Sequence, residues 1–236
     1  MKRKSRSNRS KVSAPTEAWK NEFNESLKKH VLKGDYKSAL VITKKALADY
    51  PRDFVCRFQH AKIVGDYADE LPAKQKKKFK TEAIRILKPL LRSLRGVDVA
   101  QRFSVCLNYY YQTESFKEMH AFGKRFAKFD RQRSFYARGL SGALHAQTLY
   151  DAGKLSQAKS WAERGVAAWS KYDLAKEKYY FAHYSYAKAL AIAGQKDLAL
   201  KALRKAAKLG QRPVTDWEFA DVMKIVESRA LGGGIF

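Results

Sequence analysis

The stretch GDYKSALVITKKALADYP, Gly34 to Pro51, decides how the rest of the chain is read. Within it Tyr36, Ala39, Leu40, Thr43, Ala46 and Leu47 recur at steps of three and four, which lays one face along an α-helix. The glycine can adopt the backbone that reverses a chain after a helix, and the proline at the far end cannot continue one. The pattern then returns. Gly34, Ala39 and Ala46 are separated by five and seven residues, and so are Gly153, Ala158 and Gly165, and Gly194, Ala199 and Ala206. A glycine turn followed by two small residues lets antiparallel helices approach closely, where larger side chains would hold them apart. The chain is therefore read as an internal repeat of helix pairs.

Working outward, further breakers stand at Tyr50-Pro51, Leu71-Pro72, Gly96, the polar stretch Asp130 to Arg133, and Gly210 to Pro213. The segments between them are one helix long, and none alternates as a strand would. Two weaker units fill the gaps, one with Ala61 and Ala83 around a lysine-rich insertion, the other with Leu107, Met119 and Phe126 in slots that are otherwise small. Pro89 lies within the helical pattern of the lysine-rich unit and predicts a kink or restart near Lys88, because it would clash with the carbonyl of Arg85.

On these residues the chain resembles the tetratricopeptide repeat family. Gly34 to Pro51 is similar to the family's turn and second helix, and Ala146, Gly153, Ala158 and Gly165, then Ala187, Gly194, Ala199 and Ala206, occupy its small-residue slots. The second-helix anchors Ala39, Ala83, Met119, Ala158 and Ala199 are spaced by 44, 36, 39 and 41. The family's usual period is about 34, so longer loops or helices must absorb the excess. The resemblance implies an all-α, right-handed solenoid of about five helix pairs over 17–213. A helix over 214–231 would cap it, with Trp217, Ala220, Val222, Met223, Ile225 and Val226 mainly on one side. Residues 1–16 are expected to form a basic arm without regular structure, and 232–236, GGGIF, a flexible tail.

The 236 residues, 45% of them hydrophobic, suffice for a substantial core. The net charge of +25 makes an acidic surface or a polyanion the natural partner. Nearly all of it falls in four segments: +6 over 1–16, +8 over 74–95, +5 over 117–138 and +5 over 198–215. The last three are largely second helices of repeats, which in the family lie on the outer side. Within 74–95, Phe79, Ala83, Leu87, Leu90 and Leu94 form a core stripe, while Arg85, Lys88, Arg92 and Arg95 form a basic one. With Lys124, Arg125, Lys201, Arg204 and Lys205 they are the candidate polyanion-binding residues. The tyrosine runs 109–111 and 179–186 could stack on unpaired bases or fill the packing between helices.

Carried over from the family, the inward-facing first-helix positions are Asn24, Lys28, Lys62, Asn108, Tyr111, Gln147, Tyr150, Tyr184 and Lys188. Amides and tyrosines there suit capture of a protein or peptide, an acidic one given the charge. Some members grip an acidic C-terminus with paired lysine and asparagine, but Asn24 and Lys28 stand in each other's clamp positions, which argues against a chaperone adaptor.

No phosphate-binding glycine loop, nucleophile elbow or metal-ligand spacing occurs, and the five histidines stand singly. Cys56 and Cys106 form no CxxC, and Cys56 with His60 is read as a buried pair. The expectation is a non-enzymatic scaffold without metal or cofactor, cytoplasmic or, in a eukaryote, nuclear, with no integral membrane contact and its oligomeric state open. It would bind a protein or peptide on the concave face, helped by its basic outer helices. The alternative is an RNA- or DNA-associated protein that uses those helices and the arm.

Overall fold

The computed structural model describes residues 14–210 and 217–231; the GGGIF tail and the expected arm as far as residue 13 lie outside the described residues. All the regular structure described is α-helical, with no strand. The helices fall into two compact units, Met1–Asp98 and Val99–Phe236.

The first unit holds α1 (Glu17–Leu32), α2 (Tyr36–Asp49), α3 (Phe54–Asp69) and α4 (Ala73–Arg92), each packed on the next. Thr16, Asp35 and Asp53 cap the first three by accepting backbone N–H bonds from Trp19, Ser38 and Cys56. Ala39, Leu40, Thr43 and Ala46 of the opening stretch are buried, and Leu47 is half-buried. Thr43 Oγ1 donates to the Leu40 carbonyl at 3.1 Å, so it must accept from His60 Nδ1 at 3.0 Å. That bond pins α2 to α3.

The second unit holds α5 (Val99–Gln112), α6 (Phe116–Phe126), α7 (Arg131–Asp151), α8 (Leu155–Trp169), α9 (Tyr180–Ile192), α10 (Lys196–Gly210) and α11 (Trp217–Leu231). From α5 to α10 each packs on its neighbour; α7 also meets α9, and α11 packs on α9 and α10. Ser141 Oγ donates to the Arg138 carbonyl at 3.1 Å and therefore accepts from His120 Nδ1 at 3.2 Å, pinning α6 to α7 as His60 pins α3 to α2.

Four turns share one geometry. At Gly34, Gly153 and Gly194 φ is 70, 71 and 87°, and at Glu114 it is 53°. In each, that residue's N–H bonds to the carbonyl three residues back, and the next N–H to the carbonyl five back, as in Asp35 to His30, Ser115 to Tyr110, Lys154 to Leu149 and Gln195 to Leu190. These are Schellman turns. Glu114 lies five residues before Met119, so α5 and α6 are joined by the same turn without its glycine.

The small slots are contact points. Ala39, Ala83, Ala158 and Ala199 are fully buried. A Cβ on Gly142 would stand 2.5 Å from the Gly165 Cα, so α7 and α8 touch backbone to backbone. In α6, where Met119 and Phe126 fill the small slots, Gly123 provides the close approach: a Cβ there would meet the Arg138 side chain at 2.8 Å. The irregular spacing is absorbed as required. The lysine-rich insertion is the first half of the 20-residue α4, α7 runs to 21 residues, and a loop over 170–179 precedes α9. Of the kink or restart expected at Pro89, the restart is corrected, because α4 continues without a break to Arg92. Pro89 and Arg85 are both exposed, so water can serve the carbonyl that loses its donor.

Candidate polyanion-binding surface

α4 shows how the sequence builds a charged row. Ala83, Leu87 and Leu90 are buried and Phe79 is half-buried, its ring edge-on to Tyr67 at 5.3 Å. This fixes the helix on α3 by one side. The opposite side carries Arg85, Lys88 and Arg92, followed by Arg95 just past the helix end, all exposed. Lys74, Lys77 and Lys78 are exposed too, and steps from 74 through 78 and 81 to 85 extend the same row toward the N-terminus. Sequence reading counted these lysines as charge but left them out of the site; the progression of threes and fours was the signal.

None of these seven residues makes an ion pair among the described residues. Asp69 at the end of α3 is committed to Lys76 at 2.9 Å and Lys80 at 3.7 Å, two α4 lysines outside the row, and Glu82, the one carboxylate of α4, is half-buried. The start of α4 has no acid in its first turn and no side-chain cap. Lysines at the positive end of a helix dipole are locally unfavourable, a conflict of the kind tolerated where a surface has work to do.

In the second unit Lys124 and Arg125 on α6, and Lys201, Arg204 and Lys205 on α10, are likewise exposed and without an ion pair among the described residues. Their helices bury the opposite sides, Met119 and Phe126 on α6 and Ala199, Ala202, Leu203 and Ala206 on α10. Lys208 extends the α10 group by one turn.

The residues expected on an inner face are engaged within the chain. In the first unit Asn24 Oδ1 accepts from Gln59 Nε2 at 3.1 Å, Lys62 pairs with Asp66 at 3.4 Å, and Lys28 lies 3.5 Å from Glu25. The Asp66 charge raises the Lys62 ammonium and keeps it protonated. In the second unit Asn108 Nδ2 donates to the Ser104 carbonyl, Gln147 Nε2 donates to Asp151, and Tyr111 packs edge-on to Phe181. Tyr150 shares a 3.2 Å hydroxyl contact with Ser228 of α11. Tyr184 and Lys188, 7% and 8% exposed, both meet the Asp221 carboxylate of α11, at 2.8 Å and 2.6 Å. Asp221 was not singled out from sequence; an acid among the apolar positions of the last helix was the available signal.

The tyrosine runs are mostly absorbed in packing. Tyr110 lies against Phe122, Tyr184 against Phe219, and Tyr179 alone of those runs is exposed, at 42%. His120 and His145 meet Trp161 edge-on at 5.3 and 4.7 Å, with the Arg164 guanidinium 4.8 Å from the same ring. Burial lowers the His120 imidazole to about 4 and lifts the Cys56 and Cys106 thiols to about 12 and about 11. Among the described residues no three His, Cys, Asp or Glu side chains gather as a metal site, and no helix is long and apolar enough to cross a membrane.

No protein-family model matches the chain, and no curated protein matches it.

Proposed function

We propose that this chain is a non-enzymatic repeat protein of tetratricopeptide type that associates with nucleic acid through the basic faces of its second helices. The observation that carries the reading is the contrast between two sets of residues. All nine cations expected to meet a polyanion are exposed without a counter-ion among the described residues, while the expected inner row is largely spent on contacts within the chain. Fixed, unneutralised cations release counterions from a polyanion when they meet it, which is the main source of affinity for phosphate backbones. The four equal turns and the buried small slots support the repeat assignment.

Titration of the full chain with labelled mixed-sequence RNA and DNA, at low and at physiological salt, tests the reading by fluorescence anisotropy. Binding that persists at physiological salt is expected; no binding at either salt would sink it. A protein or peptide on the inner face is the second reading, favoured by Lys28, which stays 62% exposed on its side chain beside Asn24. In that case Lys28→Glu should weaken capture of an acidic peptide and leave nucleic acid unaffected.

A further inference from the structure

We infer that the α4 row takes a nucleic-acid double helix by its phosphates alone, without reading base sequence. This rests on the nucleic-acid reading above and adds the form of nucleic acid that the surface fits. The backbone under the row is held in place, because the other side of its helix is buried against α3. From Lys74 to Arg92 it runs about 27 Å at the rise of an α-helix, the length of about eight base pairs of duplex. A fixed helix backbone that presents cations to an already ordered duplex leaves mainly the side chains to be ordered, whereas a single strand must itself be ordered as well.

Single-strand binders recover that cost by stacking bases on aromatic rings. This face offers none: the aromatic ring of α4, Phe79, is turned to Tyr67 on the packed side. Thr81, the uncharged member of the row, spends its hydroxyl on the Lys77 carbonyl at 2.8 Å. The exposed face carries one amide, Gln75, and the one carboxylate of α4, Glu82, is half-buried beside the row; its arginines, Arg85, Arg92 and Arg95, pair with phosphates as readily as with base edges. What remains is charge at every turn, which is matched to phosphates that recur whatever the sequence.

The test uses the full chain with two labelled duplexes of unrelated sequence and the corresponding single strands, across a salt series from about 50 to about 200 mM. Both duplexes should bind within about threefold of each other, and about tenfold or more tighter than the single strands. The variant Arg85→Glu, Lys88→Glu, Arg92→Glu, Arg95→Glu should lose at least about tenfold in duplex affinity and flatten the logarithmic salt slope by about 3 to 4. If that variant fails to fold, Lys74→Gln, Lys77→Gln, Lys78→Gln should flatten the slope by about 2 to 3. Tighter single-strand binding, a sequence preference above about tenfold, or unchanged affinity in folded row variants would overturn the inference and leave the broader reading standing. No binding to either form would remove both.

Discussion

Glu114 and Gly153 occupy the same turn with opposite consequences. An L-residue in the left-handed region carries roughly 1–2 kcal/mol of strain, which glycine escapes at a smaller entropic cost. Nothing lies within 4 Å of a Cβ built on Gly153, so Gly153→Ala isolates the backbone effect and should destabilise the chain by roughly 1–2 kcal/mol. Glu114→Gly should do the reverse, adding a few tenths to about 1 kcal/mol, and urea unfolding midpoints of the two variants check both signs. His120 sets a second residue-scale behaviour. Its folded-state pKa of about 4 lies below the ordinary 6.5, so the unfolded chain binds the extra proton between those values. Stability should therefore be fully present above pH 6.5 and fall as the pH drops toward 4. Burial lowers His60, His145 and His183 as well, steepening the loss. His120→Asn retains a donor for Ser141 but cannot titrate, and a melting-temperature profile for it should be shallower over that range.

Among elements, α7 and α8 meet backbone to backbone. At Gly142 the obstacle to a side chain is the Gly165 backbone, which cannot rotate aside. Gly142→Ala should therefore destabilise by roughly 1–3 kcal/mol, although alanine is intrinsically the better helix former. A urea midpoint equal to or above that of the parent would show that the helices can part without loss. α4 presents the contrasting case, since its charged side touches nothing that holds the fold. Substitutions along that row should stay within about 0.5 kcal/mol of the parent while changing what the surface attracts. Helix existence was legible here because a face at steps of three and four must be buried, whatever buries it. The unbroken passage through Pro89 was not legible, because the cost of a lost hydrogen bond depends on whether the freed carbonyl reaches water.

At the scale of the whole chain, the excess of cations predicts association that weakens steeply with salt, and the row variants above assign that dependence to its source. The sequence by itself determined the helical class, the positions of three of the four glycine-type turns, the small slots and the segments that carry the charge. Each depends on local steric or periodic rules that act within a few residues. Tertiary structure alone decided which polar residues remain available. Tyr184 and Lys188 read as an open groove until Asp221, more than thirty positions away, closes on both. Likewise Phe219, absent from the expected stripe of the last helix, is fully buried with Val222, because the facing helices set the register of that stripe. Whether a charge or hydroxyl is free depends on partners distant in sequence, and burial and ion pairing are settled only when helices meet.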